Sequence, residues 1–223
     1  MAAAPGGRMN FDTLAPHYRW MEFVLAGGKL QRSRTAFLDQ VADARDILIL
    51  GEGNGRFLVE CRRRLPDARI TCVDSSARML GLARSRLKRA GLSANPVTFV
   101  RADALSWNAP ESWADLLVTH FFLDCFRAAQ LELIAGRLAR AARPDASWLI
   151  ADFQAPPAGL ARWRACAILK AMYVFFRVVT RLPASELTPP DAYLEHHGFK
   201  LQRRLESEWG LLRSDHWKRS RRG

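Results

Sequence analysis

The sequence has little cysteine, and what it has is poorly arranged for chemistry. Cys61, Cys72, Cys125 and Cys166 form no CxxC pair, and no histidine pattern near them has metal-ligand spacing. No metal is expected, and a chain of 223 residues with a proper core needs no disulfide framework. Long apolar runs are also missing: Ala165 to Thr180 is interrupted by Lys170 and Arg177, short of the roughly 18–20 apolar residues that span a bilayer. The first residues lack the basic and apolar regions of a signal peptide, so the expected compartment is a reducing cytoplasm. Lysine is scarce, with 5 lysines against 29 arginines.

What is present is globular in composition: 49% hydrophobic and 25% charged residues, which excludes disordered and collagen-like classes. The formal charge of +12 admits nucleic acid, an anionic membrane surface or an acidic small molecule. It is spread evenly, with 17 basic residues in 1–110 and 17 in 111–223, so no basic arm accounts for it.

From residue 46 strand and helix patterns alternate. Ile47–Leu50, Arg69–Val73, Val97–Val100, Asp115–Thr119 and Ser147–Ala151 read as strands. Phe57–Leu65, Ser76–Ala90 and Gln130–Ala142 read as the helices between them. Such alternation predicts an α/β fold, a Rossmann-like doubly wound parallel sheet covered on both faces. Residues 10–45 are helical in pattern with a break at Gly27-Gly28, and 1–45 is expected to form a helical lid on a domain spanning 46–223. A helical insertion is expected at about 155–185, then a short helix closed by Gly198, then strands at Phe199–Glu206 and Trp209–Trp217 joined by a turn at Ser207–Gly210.

In doubly wound sheets ligands sit at the carboxyl ends of strands. Four strand ends here carry Gly51–Gly55, Asp74, Asp103 and Thr119-His120. The cluster Gly51-Glu52-Gly53-Asn54-Gly55 lets backbone approach a ligand closely. Arg56 occupies the third glycine position of the dinucleotide fingerprint, and the Walker pattern is absent, so the ligand lacks a pyrophosphate. Asp74 can accept from two ribose hydroxyls and Asp103 from an adenine amino group. Together these describe S-adenosylmethionine.

The segments 47–55, Val-Asp-Ser-Ser (73–76), Arg-Ala-Asp-Ala (101–104) and Ala-Asp-Leu-Leu-Val-Thr (114–119) resemble the successive motifs of class I S-adenosylmethionine-dependent methyltransferases. The resemblance implies a seven-stranded sheet, mostly parallel, with an antiparallel C-terminal hairpin, and adds Ser75, Ala104 and Thr119 to the cofactor contacts. The family usually has an acid two residues before the first glycine. Here that residue is Ile49, which leaves Glu52 to meet the methionine amino group. Residues 11–22 and 190–199 resemble the UbiE-type methyltransferases of quinone biosynthesis, which implies that Tyr18 touches the cofactor.

The implied reaction is direct displacement at the methyl carbon onto a small apolar, aromatic or lipid-like acceptor, with S-adenosylhomocysteine as product. His120 and Asp124 follow strand four and are the candidate bases. Phe121, Phe122, Trp163, Tyr173 and His216 are the candidate acceptor contacts. The stretch Phe153–Ser185 contains no acid but several arginines and aromatics, which suits a lid or peripheral contact with a membrane. Alternatives are a lipid or amine N-methyltransferase and a cofactor-binding partner or sensor without activity. An RNA methyltransferase is disfavoured, because Thr119-His-Phe-Phe122 lacks the proline pair of base-amino enzymes. The acceptor atom and oligomeric state stay open.

Overall fold

The computed structural model describes residues 27–92, 96–180 and 187–220, the side chains of 27, 173 and 175–180 excepted. Tyr18 and most of the expected N-terminal lid lie outside the described residues. The chain runs α1 (Gly27–Thr35), a 3-10 turn at Leu38–Val41, β1 (Asp46–Leu50), α2 (Arg56–Arg64), β2 (Arg69–Asp74), α3 (Ala77–Arg89), β3 (Val97–Arg101) and β4 (Ala114–His120). It continues with a 3-10 turn at Leu123–Cys125, α4 (Ala128–Ala141), β5 (Ala142–Phe153), α5 (Gly159–Thr180), α6 (Asp191–His196), β6 (Phe199–Ser207) and β7 (Leu212–Arg219).

All seven strands form one sheet in the order β3-β2-β1-β4-β5-β7-β6. The first five are mutually parallel, and β7 runs antiparallel to both β5 and β6. β1 shows why the sheet is covered on both faces. Alternate side chains of a strand point to opposite faces. Leu48 and Leu50 join Leu117, Trp148 and Ile150 under Leu131, Ile134 and Leu138 of α4. Ile47 and Ile49 join Ile70, Cys72 and Val118 under Phe57 and Leu58 of α2 and Leu87 of α3. A strand buried on both faces must be apolar throughout, and this one is but for Asp46, whose carboxylate is held by Arg69 (2.6 and 2.7 Å).

Gly27-Gly28 opens α1. Two expectations need correction. β5 starts five residues earlier than the apolar run, directly after α4. Ala142 pairs with Ala114, and the register then shifts so that Leu116 meets Ser147. Extra backbone of this kind is a β-bulge, which apolar periodicity does not reveal. The hairpin turns where expected, with Gly210 N–H donating to Ser207 O (3.1 Å), but β7 begins at Leu212 and not at Trp209, because Glu208 and Trp209 hold the tip at φ of 55° and 61°.

Chain order reverses between β1 and β4, which lie side by side. The crevice at that switch point is where such sheets hold ligands. It is flanked by the glycine turn after β1 and by His120-Phe121-Phe122 after β4.

Candidate functional site

The glycine turn is built for close approach. Gly51, Gly53 and Gly55 all have left-handed φ, at 68°, 64° and 82°. A Cβ on Gly51 would lie 2.1 Å from Phe122 Cδ2, and one on Gly55 would lie 2.6 Å from Ala83 Cα. The first fixes the turn against the segment after β4. The second lets α2 start against the backbone of α3.

Asp74 ends β2 and ties the turn in place. Its Oδ2 accepts from Gly53 N–H (3.2 Å) and its Oδ1 from Ser76 N–H (2.9 Å). A carboxylate accepts about four hydrogen bonds, so these two set its aim at the crevice mouth without exhausting it. Ser75 follows at the strand end, and Ser76 caps α3 by accepting from Met79 N–H (3.1 Å). Asp103 is exposed beyond β3, its Oδ1 accepting from Leu105 N–H (2.9 Å), with Ala104 half-buried beside it.

Glu52 turns back into its own chain. Its Oε1 accepts from Leu58 N–H (2.9 Å), satisfying an amide in the first turn of α2. Burial pushes its carboxyl up to about 7, opposed by that amide and by the charge of Arg34. Ile49, at the position where the family usually has its acid, is core.

Thr119 is fully buried, and its Oγ1 accepts from Trp148 Nε1 (2.9 Å). Its side chain faces the α4 layer, so only its backbone borders the crevice. His120, one residue on, faces the other layer and meets Phe57 edge-on at 4.6 Å. Burial, with Arg34 nearby, holds its imidazole well below the usual histidine range, hence neutral. Nδ1 of His120 is buried without a hydrogen-bond partner among the described residues.

Phe121 is a non-glycine residue in the left-handed region (φ 52°), a conformation that costs about 1–3 kcal/mol and clusters at functional sites. Its N–H donates to Ala151 O (2.6 Å), its ring tilts against Phe153 at 5.1 Å, and the Arg34 guanidinium stands 5.0 Å over it. Phe122 packs on Phe126 and over Gly51. The two rings join the glycine turn to a second cavity.

That cavity, of about 400 Å³, lies at the ends of β4 and β5. Its walls include Asp124, Asp152, Phe153, Arg162, Leu187 and Arg213. Asp124 and Asp152 are buried together and hydrogen-bonded to each other. Burial raises both, with Asp124 pushed up to about 6, and the Asp124 charge pushes Asp152 further, well above the usual carboxylate range. Arg213 opposes both shifts. Both carboxyls are therefore held above the usual carboxylate range, Asp152 further than Asp124. Arg213 is itself held by Asp191 (2.7 Å), which also pairs with Arg204 (2.6 Å), and Arg204 grips the buried Asp215 with two bonds (2.7 and 2.8 Å). This network fixes α6 to the C-terminal hairpin.

Two predicted acceptor contacts lie elsewhere. His216 pairs in register with Leu149, and its ring meets Ser147 Oγ (3.0 Å) and Gln40 Oε1 (3.3 Å), toward the amino end of β5. At about 3.3 Å per residue, Leu149 is roughly 13 Å from the strand's carboxyl end at Phe153. Trp163 points outward from α5 into solvent. Tyr173 is on α5 with its side chain outside the described residues. Sequence reasoning missed Asp152, Arg213 and Arg34. Asp152 carried a signal, an acid closing a strand as Asp74 does, whereas the two arginines carried none.

Residues 47–145 match the family described as methyltransferase domain. Among curated proteins, the chain is 37% identical over 94 residues to the release factor glutamine methyltransferase of Chlorobaculum tepidum, covering 41% of this chain and 31% of that one. It is 28% identical over 153 residues to the demethylmenaquinone methyltransferase of Deinococcus radiodurans, covering 67% and 61%. The chain thus spans less than two thirds of either relative. Its fold is similar to that of the mitomycin 7-O-methyltransferase (TM-score 0.68, 20% identity, 95% of this chain and 61% of that one). It is also similar to N-methyltransferase NodS from Bradyrhizobium japonicum (0.60, 16%, 87% and 98%). A third similar structure is human N-acetylserotonin methyltransferase, solved with S-adenosylmethionine (0.64, 16%, 92% and 55%). The match begins in β1 and takes in the glycine turn, Asp74 and Asp103, so residues 47–145 are those of a methyltransferase domain, on a seven-stranded sheet whose fold is that of the similar methyltransferase structures.

Proposed function

We propose that the chain methylates a small acceptor with an apolar body and one ionisable hydroxyl, using S-adenosylmethionine. The donor set fits that cofactor. Three left-handed glycines open the backbone, and two acids end the neighbouring strands. Gly51–Gly55 and Glu52 would hold the methionine end, Asp74 and Ser75 the ribose, and Asp103 and Ala104 the adenine. The bound cofactor supplies a sulfonium methyl whose leaving group is a neutral thioether, so alignment provides much of the acceleration.

The observation that carries the acceptor side is the Asp124–Asp152 pair on the wall of the 400 Å³ cavity. An acceptor O–H needs a group to take its proton as the O–C bond forms and the C–S bond breaks. His120 is a candidate, but burial makes its imidazole a weak base. Burial raises the basicity of both carboxyls, and Asp124, at about 6, is ionised at neutral pH, which favours proton transfer. Phe121, Phe122, Phe153 and Leu187 would cover the acceptor's apolar body.

The pair gives a pH signature. Below about 6 Asp124 takes a proton and no longer acts as a base, so kcat/KM should fall on the acid side with a limb near 6. Arg213→Gln removes a charge that lowers both groups and should move the limb to higher pH, while Arg213→Lys should leave it near its original place. Asp124→Asn should reduce kcat about 100-fold with cofactor affinity unchanged. S-adenosylhomocysteine release across a panel of phenols, enols and amines is the measurement. Tight cofactor binding without turnover of any of them would favour a sensor protein. A profile with no acid limb would remove the pair from the reaction.

A further inference from the structure

Helix α5 is apolar on two opposite sides, and only one is used by the fold. Ala165, Leu169 and Met172 face inward, against Leu30, Phe153, Leu211 and Leu212. Leu160, Trp163, Ala167, Ala171 and Val174, spaced three and four apart, form the opposite stripe and are exposed. Solvent-facing stripes of globular helices are ordinarily polar. Among the described residues the four most exposed large apolar side chains are Leu160 (84%), Trp163 (79%), Trp209 (73%) and Val174 (56%). Three of them are on this stripe.

The fourth is held beside it. Trp209 stands at the tip of the β6–β7 hairpin, in left-handed backbone that bulky residues rarely adopt. Arg164 of α5 reaches the tip: its Nη1 donates to Glu208 O (3.2 Å), and its guanidinium stands 5.7 Å from the Trp209 ring. The Glu208 carboxylate is paired with Lys29. The fold therefore keeps two tryptophans and a leucine on one surface, at the cost of a strained turn.

The charge along the helix stripe is basic, and Glu208 at the hairpin tip is paired with Lys29. Arg162, Arg164 and Lys170 flank the stripe, and no acid occurs from Phe153 to Ser185. Among the described residues no helix is long and apolar enough to cross a membrane. An apolar stripe with tryptophan and basic flanks on a helix that cannot span is the pattern of a helix lying in the bilayer interface. We infer that the outer face of α5, with the hairpin tip at Trp209, docks on an anionic lipid surface. The basic flanks supply attraction to headgroups, and Leu160, Trp163, Val174 and Trp209 enter the acyl boundary. Arg162, from the same helix, lines the 400 Å³ cavity, so docking would bring that cavity close to the lipid. The inference does not depend on which acceptor is methylated.

The test is co-sedimentation of the full chain, without cofactor, with vesicles of phosphatidylcholine alone and of equimolar phosphatidylcholine and phosphatidylglycerol. Binding to the anionic vesicles should be about 10-fold tighter or more, and should weaken with salt. Leu160→Glu with Trp163→Glu should lower it about 100-fold while leaving thermal stability unchanged, because both side chains are in solvent. Binding to neither vesicle, or equal binding before and after the double substitution, would overturn the inference. So would light scattering that shows a dimer which the same substitutions dissociate, since a second copy would then cover the stripe.

Discussion

Alanine at position 55 is expected to cost about 2–6 kcal/mol of folding stability, a large part of the roughly 5–15 kcal/mol that a domain has. Two effects add. At φ 82° an L side chain is strained by about 1–3 kcal/mol. The new Cβ would also lie 2.6 Å from Ala83 Cα and 2.9 Å from its Cβ, where α2 begins against α3. Backbone cannot rotate away, so a helix must shift, and overpacking of this kind costs about 1–3 kcal/mol. Gly91→Ala separates the two effects. Gly91 has φ 69°, yet its Cβ would meet nothing within 4 Å, so its loss should be the strain alone. Urea titration of both variants measures the difference. Equal losses would mean that the approach of α2 to α3 is not what requires glycine at 55.

Asp74→Ala is expected to weaken S-adenosylmethionine or S-adenosylhomocysteine binding about 100-fold by calorimetry. Hydrogen bonds to a charged acceptor are worth about 1.5–3 kcal/mol, and two ribose hydroxyls would share this carboxylate. A loss near 2.7 kcal/mol corresponds to that factor. The structure adds a second contribution: Asp74 accepts from Gly53 and Ser76 amides, so its removal also frees the glycine turn. Asp74→Asn keeps one acceptor oxygen and should lose about 10-fold. Affinity unchanged in the alanine variant would count decisively against the cofactor assignment at this strand end.

Much of the cofactor side was legible in the chain because its determinants are local. An apolar run ending in glycines gives a buried strand and a sharp turn whatever packs around it. An acid closing the next strand reaches the same crevice, because parallel strands end on the same side. Ile47–Leu50, the turn at 51–55, Asp74 and Asp103 follow from this. The β5 boundary did not, since a bulge is a property of two paired strands.

The acceptor side depended on tertiary placement. Trp163 was taken for a pocket residue from its type, but the pitch of α5 against Leu211 and Leu212 turns it outward. His216 looks suitable as a late histidine, yet in register with Leu149 its ring turns back to Ser147 and Gln40, away from the carboxyl ends of the strands. Thr119 and His120 are neighbours that face opposite layers, one bonded to Trp148 and the other against Phe57. Asp124 and Asp152, 28 positions apart, are buried together only because β4 and β5 pair in parallel and end together. By itself, then, the sequence determined the doubly wound architecture and the cofactor turn, through periodicity and turn chemistry that act within a few residues. Which side chains face the second cavity, and with what charge, was decided by strand register and helix rotation, because both depend on partners distant along the chain.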